Sequence, residues 1–180
     1  MKSMTGRPIA RRRLLLAATA AGALAPWLAA VRPGRAQDTR VAPDLTKPQP
    51  ELPREKLVIV GHDGTRHDFM VEMALTPAQQ EVGLMWRPVV PPDGGMLFDW
   101  GGARDSYMWM KNTLAALDMV FINSDGTIRS IAENTVPRSL AVIPSGGPVR
   151  ATLELAAGTT ARLDIRVGDK VECRLFGNLG

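Results

Sequence analysis

The side chains best suited to binding a ligand are concentrated between Met85 and Asn112. This stretch contains three of the four tryptophans of the chain and its single tyrosine, together with four methionines, two arginines and a lysine. Aromatic rings offer apolar and stacking surface, and cationic side chains attract anions, which is the combination that lines many ligand grooves. The composition of this stretch therefore indicates a binding surface. The alternative is that it is only the densest part of the core with its rim.

A strand predicted over residues 107–111 would place several of these groups on one surface. Side chains alternate between the two faces of a strand, so Met108 and Met110 share one face while Tyr107, Trp109 and Lys111 share the other. We assign the methionines to the core. The two rings and the ammonium group are then expected to face a groove.

Two residues outside this strand complete the predicted ligand site. Arg87 and Lys111 would attract an anionic group, and Trp109 would stack on an apolar or sugar face. Asn112 would offer both a hydrogen-bond donor and an acceptor. The candidate ligand-binding residues are Arg87, Tyr107, Trp109, Lys111 and Asn112.

Acid–base catalysis has weaker support from the sequence. The carboxylates Asp99, Asp118, Glu133 and Glu154 are scattered, and their spacing does not distinguish a catalytic pair from a solvated face. No catalytic residue is assigned for this reason. In an enzyme, Asp118 or Glu154 would be the acid or base, and its pKa would have to be raised toward neutrality.

Metal chemistry is also weakly indicated, and we predict neither a metal nor a cofactor. His62 and His67 are expected at the surface, and a strand would direct them to opposite sides. The single cysteine, Cys173, alternates with polar residues and is expected in the core, where burial makes a thiol unreactive. Met108 and Met110 leave copper handling as an alternative, because thioethers are soft ligands for Cu(I).

The elements that must position these residues are mostly strands. From residue 56 onward, apolar residues recur at every second position in short runs that are separated by turn-forming residues. Thr76-Pro77-Ala78-Gln79 predicts the start of a short helix that ends near Gly83. The fold class is therefore mainly β, a compact antiparallel sandwich or partly open barrel of about eight short strands with one or two short helices. The predicted strands include Leu57–Val60, Phe69–Leu75, Met96–Trp100, Tyr107–Lys111, Leu117–Ile122, Thr127–Glu133, Val149–Leu155 and Val171–Leu175.

The distribution of charge divides the chain into three parts. Residues 1–36 contain seven basic residues and no acidic ones, and an apolar, alanine-rich run follows the basic start, so this part is predicted to be an export signal. Arg11-Arg12-Arg13-Leu14-Leu15 is similar to a twin-arginine motif. Residues 37–54 are rich in proline and predict a solvated linker, and residues 55–180 form the single β domain. The protein is expected in the periplasm or otherwise outside the bacterial cytoplasm.

The charge that remains argues against nucleic acid as a partner. Of the 22 basic residues, 15 lie beyond residue 36, where they face 18 acidic residues, so this part carries a net charge of −3. Affinity for nucleic acid requires many neutralised phosphates, which such a domain cannot provide. Membrane contact is expected only if the signal segment stays uncleaved. The oligomeric state is left open.

The order of several motifs resembles a known family. The motifs are Gly83-Leu84-Met85-Trp86-Arg87, Gly95-Met96-Leu97-Phe98, Met108-Trp109-Met110-Lys111-Asn112-Thr113, Leu117-Asp118, Leu153-Glu154-Leu155, Gly158 and Gly168-Asp169. With these motifs the chain is similar to the domain of unknown function 192, also called the uncharacterised UPF0127 group, from about Lys56 to Leu175. The resemblance implies a compact, mostly β domain that is often exported and has no established activity or agreed functional residues.

Three functions of different classes fit these observations. The first is a non-enzymatic module of the cell envelope that binds a small molecule or an envelope polymer, or that acts as an accessory protein. The second is an enzyme that acts on envelope polymer, and the third is a copper-handling protein. If none applies, the aromatic surface would contact a protein partner.

Overall fold

The computed structural model describes residues 42–179, and the predicted export signal at residues 1–36 lies outside them. The described residues form seven strands, two short α-helices and a final 3₁₀ turn. The elements are β1 (Arg54–Val60), β2 (Arg66–Ala74), α1 (Pro77–Val82), β3 (Gly94–Met108), β4 (Leu117–Ile122), β5 (Ile128–Ala132), β6 (Ile143–Ala156), α2 (Thr159–Arg162), β7 (Lys170–Cys173) and the 3₁₀ turn Arg174–Phe176.

All seven strands belong to one sheet that curls into a half-barrel. The strand order is β5-β4-β6-β3-β2-β1-β7, so β6 and β3 lie at the centre. The two edge strands approach each other through a bridge between Thr127 and Lys170, and the Ile128 amide donates to the Asp169 carbonyl at 2.9 Å. The prediction of a mainly β, partly open barrel with short helices is confirmed.

One strand pair differs from the predicted antiparallel arrangement. β2 and β3 are parallel, with Met70 opposite Gly94 and Ala74 opposite Phe98. Parallel neighbours require a crossover connection, which residues 75–93 supply with α1 inside it. This crossover matters for the site, because it lays α1 and the following loop across the outer face of the sheet.

The predicted helix is confirmed in detail. Thr76 caps α1, since its hydroxyl accepts from the Gln79 amide at 3.3 Å while the Gln79 side chain accepts from the Thr76 amide at 2.9 Å. Pro77 occupies the first turn, where no amide donor is needed, and Gly83 ends the helix. Gln80 then ties α1 to the sheet, because its side-chain amide donates to the carbonyls of Ala74 at 3.1 Å and Asp99 at 2.6 Å.

Two predicted strands are joined in β3. Residues 96–100 and 107–108 belong to one strand that continues through an irregularity, where the pairing shifts between Asp99 and Arg104. Residues 100–103 bulge there opposite Arg150, which allows the strand to bend while it keeps its partner β6. The described part of the chain therefore has seven strands and not eight, and Trp109 to Lys111 follow β3 as an irregular segment.

The sheet buries both of its faces along its central strands. Inside the half-barrel, alternate residues of every strand form one core, including Leu57, Phe69, Leu97, Leu153 and Val171. A second core lies on the outer face of β2, β3, β6 and β4, beneath the loops that follow α1 and β3. Its buried members are Ala74, Leu84, Val90, Met96, Phe98, Met108, Met110, Leu117, Met119, Phe121 and Val149.

The described part of the proline-rich segment packs against the domain and does not form a solvated tether. The Leu45 carbonyl accepts from Trp86 Nε1 at 2.8 Å, and the Gln49 side-chain amide donates to the Gly83 carbonyl at 2.9 Å. The Leu52 amide donates to a carboxylate oxygen of Glu72 at 2.8 Å. These contacts add residues 45–52 to the cover of the outer face.

Gly95 offers a test of how closely the central strands approach. A Cβ atom at this position would lie 2.3 Å from the backbone oxygen of Glu154 on β6, which real contacts do not allow. We expect Gly95→Ala to lower the free energy of unfolding by about 2 kcal/mol or more, because β3 and β6 would have to move apart. Urea denaturation measures the change.

The matched control is Gly102→Ala in the exposed bulge of β3, where a Cβ atom meets no neighbour within 4 Å. This variant should change the free energy of unfolding by less than about 0.5 kcal/mol. Equal effects of the two substitutions would contradict the close approach of β3 and β6.

Candidate functional site

A cavity of about 400 Å³ opens on the outer face of the sheet. α1 and the loop after it form one side, β3 and the segment after it form the other, and β6 contributes a residue between them. The lining residues are Pro77, Gln80, Glu81, Val82, Gly83, Leu84, Met85, Phe98, Trp100, Arg104, Tyr107, Met108, Trp109, Lys111, Thr113 and Glu154.

Three of the predicted ligand-binding residues line this cavity. Tyr107 and Trp109 are 68% and 44% exposed, while Met108 and Met110 are buried, so the predicted alternation holds even though β3 ends at Met108. Lys111 Nζ lies 4.9 Å from the centroid of the Trp109 ring, in a cation–π contact. The arrangement presents an indole and a positive charge together at the cavity wall.

A second pair of the same kind, which the sequence did not reveal, lines the same cavity. The guanidinium carbon of Arg104 lies 4.3 Å from the centroid of the Trp100 ring. Trp100 is held in place because its Nε1 donates to Thr152 Oγ1 at 3.1 Å and its ring stacks on Phe98 at 5.7 Å. The two residues lie four apart, and a regular strand would place them on the same face but about 13 Å apart, so their contact depends on the bulge of β3.

Glu154 lies between these walls on β6, the central strand. It pairs with Met96 of β3 on one side and with Met119 of β4 on the other, and both methionines are fully buried. Glu154 itself is 4% exposed and lines the cavity, and its carboxyl group makes no hydrogen bond within residues 42–179. Burial raises the pKa of its carboxyl group to about 8. At neutral pH the side chain is therefore mostly an uncharged carboxylic acid.

Glu154 is buried and does not lie on a solvated face, which was one of the two alternatives that its spacing left open. The alternation along β6 directs Leu153 and Leu155 into the half-barrel and Glu154 to the opposite face. The opposite face of β6 is covered as well, because the crossover after β2 and the loop after β3 pack over it. A period-2 pattern indicates which residues share a face but not whether another element covers that face.

Asp118, the other candidate acid or base, has a structural role. It is fully buried on β4, and its carboxylate accepts from the amides of Asn134, Gly158 and Thr160 at 2.9, 3.1 and 2.9 Å. The Thr160 hydroxyl donates to it at 2.8 Å. These four bonds use the lone pairs of the carboxylate to fix the loops after β5 and β6, and Asp118 does not line the cavity.

Arg87 and Asn112 lie outside the cavity and contact other parts of the protein. Arg87 forms a buried ion pair with Glu72, in which Nη2 lies 2.9 Å from Oε2. Asn112 has a left-handed backbone with a φ of 57°, and its side-chain amide donates to the Leu45 carbonyl at 3.2 Å. Both residues hold the cover of the outer face, so of the five candidates the structure brings together Tyr107, Trp109 and Lys111.

The sulfur atoms belong to the core. Met110 is fully buried, and its Sδ accepts from the Thr135 hydroxyl at 3.1 Å, which favours the core interpretation of Met108 and Met110 over copper binding. Cys173 is buried as predicted, and burial raises the pKa of its thiol. Among residues 42–179, no three histidine, cysteine or acidic side chains are grouped so that they could hold a metal ion.

The burial of Glu154 predicts a specific dependence of stability on pH. The carboxyl group titrates near pH 4.5 when unfolded and near 8 when folded, so the unfolded chain releases this proton first. The free energy of unfolding is therefore highest below pH 4.5, and it falls by about 1.4 kcal/mol per pH unit as the pH rises from 4.5 toward 8. Glu154→Gln removes this loss, and its advantage over the wild type in urea denaturation should grow from pH 5 to pH 8 and then level off.

Glu51→Gln is the control for that measurement, because the Glu51 side chain is 75% exposed. Its curve of unfolding free energy against pH should run parallel to that of the wild type. A parallel curve for Glu154→Gln as well would show that Glu154 is ionised in the folded protein near neutrality.

Comparison with known proteins agrees with this fold. Residues 58–173 match the model of DUF192, described as an uncharacterized ACR. A Sinorhizobium meliloti 1021 protein, provisionally described as a transcription regulator, is 49% identical, with a TM-score of 0.69 over 71% of this chain and 98% of that one. A protein of unknown function from Novosphingobium aromaticivorans DSM 12444 is 39% identical, with a TM-score of 0.65 over 67% of this chain and 86% of that one. No curated protein matches the chain. The chain belongs to the DUF192 family, which confirms the resemblance seen in its motifs.

Proposed function

We propose that this protein is an exported, non-enzymatic module of the cell envelope that binds an anionic ligand with an apolar or sugar face. The observation that carries the proposal is the presence of two tryptophan–cation pairs, Lys111 on Trp109 and Arg104 on Trp100, in the lining of one cavity. An envelope polymer with such a group would satisfy the same chemistry as a small molecule.

Arg104 and Lys111 stack on tryptophan rings, and this supports anion binding because stacking leaves their positive charges available. Neither Arg104 nor Lys111 forms a salt bridge within residues 42–179, whereas Arg87 and Arg150 are paired with Glu72 and Asp99. A cation over an indole is held in place without being neutralised. An anion that enters the cavity can therefore pair with both groups.

The exposure of the rings points in the same direction. Tyr107 and Trp109 keep 68% and 44% of their surface open, although large aromatic side chains are among those that gain most from burial. Exposed rings next to a concave surface are typical of sites that bury them upon binding. A planar apolar group or the face of a sugar is a suitable partner for an indole.

Export is proposed from the start of the chain. The basic residues, the apolar run and the paired arginines of residues 1–36 support a signal that directs the domain to the periplasm. Within residues 42–179, no helix has the length and hydropathy that would allow it to cross a membrane.

A regulator that binds DNA is not the function we propose, although one relative is provisionally described as a transcription regulator. Residues 37–180 carry 15 basic and 18 acidic residues, so this part has no excess of positive charge for a phosphate backbone. Arg104 and Lys111, the cations that stack on tryptophans, line a cavity.

Binding is tested with benzoate and glucuronate, which join a carboxylate to an apolar ring or to a sugar. We expect both probes to change tryptophan fluorescence and NMR shifts of the full-length wild-type protein. Replacing Trp109 and Lys111 together by Ala should lower the affinity at least tenfold, since stacking and charge pairing are both lost. Titration by NMR gives the dissociation constants.

Val136→Ala with Lys56→Ala is the matched control, since Val136 is 68% exposed and neither residue lines the cavity. This variant should bind both probes as the wild type does. Failure of both probes to bind at millimolar concentration, or binding that survives in the Trp109 and Lys111 variant, would refute the proposal.

An enzyme that acts on envelope polymer is the second candidate, and Glu154 is the observation that favours it. A carboxyl group with a pKa of about 8 in a cavity beside tryptophans has the character of a general acid, and Glu81 lines the same cavity as a second carboxylate. Asp118 is removed from this hypothesis because its oxygens are already bonded.

The binding module and the enzyme differ in whether they cleave envelope polymer. We expect purified peptidoglycan incubated with the full-length protein to release no new reducing ends, because the binding proposal includes no bond cleavage. Release by the wild type that disappears in Glu154→Gln would instead establish the enzyme. The Glu51→Gln variant controls for charge removal outside the cavity.

A further inference from the structure

We infer that Glu154 acts in the proposed binding site as a hydrogen-bond donor to a carboxylate of the ligand, so that the site binds a carboxylate only while Glu154 carries its proton. The inference rests on the proposed function and names its ligand class. It also assigns to the cavity a residue at which the buried end of the ligand is recognised.

Glu154 is distinguished from every other buried carboxylate of residues 42–179. Glu72 is paired with Arg87, Asp118 accepts four hydrogen bonds, and Asp169 accepts from the Arg166 amide at 2.7 Å. Glu154 is equally buried and has no such partner, and its carboxyl group reaches the cavity. No buried side-chain oxygen or nitrogen among residues 42–179 lacks a hydrogen-bond partner, so the unpaired carboxyl oxygens of Glu154 are open to the cavity and a ligand oxygen can bond to them.

The other charged residues of the cavity decide which ligand group can bond to Glu154. Arg104 on β3 and Lys111 after it are cationic, and Glu81 on α1 is anionic, while Tyr107 adds a phenol. With Glu154 uncharged, the cavity has an excess of positive charge and attracts an anion. The protonated carboxyl group of Glu154 can donate a hydrogen bond to one oxygen of a ligand carboxylate. This bond is short and strong because its acceptor is charged.

The remaining elements around Glu154 supply no competing partner. On the outer face, β4 offers Met119 and Phe121, which are both fully or almost fully buried. β2 offers Glu72, whose carboxylate is already held by Arg87. The outer face therefore leaves the cavity as the direction from which Glu154 can be satisfied.

Linkage fixes the direction of the pH dependence. The pKa of Glu154 is raised to about 8 by burial, so the donor proton is present below that pH and lost above it. Ionised Glu154 would also repel the carboxylate of the ligand. The affinity should thus be constant up to about pH 7 and then fall by up to about tenfold per pH unit above pH 8.

A cationic ligand such as an amine would show the opposite dependence of affinity on pH. An amine would pair with ionised Glu154 and would bind more tightly as the pH rises. Arg104 and Lys111 line the same cavity and would repel it. Benzylamine, which has the same ring as benzoate, is therefore the matched probe for this alternative.

The test measures the affinity of the full-length protein for benzoate between pH 6 and pH 9.5 by NMR titration. For the wild type we expect the dissociation constant to rise about fivefold from pH 8 to pH 9 and more steeply above it. Glu154→Gln keeps a donor but cannot ionise, so its affinity should stay within threefold of the wild type at pH 6 and should not show this rise. Glu51→Gln should follow the wild type.

The outcomes separate this inference from the proposed function. A benzoate affinity that depends on Trp109 and Lys111 but falls equally with pH in the wild type and in Glu154→Gln would overturn the role of Glu154 and leave the binding site intact. Tighter binding of benzylamine than of benzoate would overturn the ligand class. Binding of benzoate that does not depend on Trp109 and Lys111 would refute the proposed function itself.

Discussion

The burial of both faces of the central strands is the constraint on which the rest of the structure depends. A half-barrel of seven strands covers its inner face by curling, but the outer face of β3 and β6 needs a separate cover. The crossover between the parallel strands β2 and β3 provides it, since residues 75–93 must pass over the sheet to connect them. The cavity is a place where this cover remains incomplete.

The cover is held in place by polar side chains of the types that suggest a binding site when only the sequence is considered. Gln80 bonds to two strand carbonyls, Arg87 pairs with Glu72, and Asn112 binds the Leu45 carbonyl. Each of these bonds joins the cover to the sheet or joins two segments of the cover. The same residue types that suggest recognition of a ligand are thus used to attach irregular chain to a sheet.

The sequence predicts what alternation and local capping control, and it does not predict what depends on distant chain. The strands, the α1 cap at Thr76 and the outward direction of Trp109 follow from neighbours in sequence. The pairing of Arg104 with Trp100 depends on the bulge of β3, and the burial of Glu154 depends on the crossover. Both features are set by tertiary contacts, so no period in the sequence reveals them.

The unpartnered state of Glu154 is best understood against the stability of the whole domain. An uncharged residue of the same shape, such as glutamine, would occupy β6 without the free energy that ionisation costs above pH 4.5. The protein instead carries an ionisable group in the lining of a cavity that also contains Arg104 and Lys111, two cations that form no salt bridge among the described residues. Packing gives no reason for this combination, whereas recognition of an anion by a protonated carboxyl group gives one.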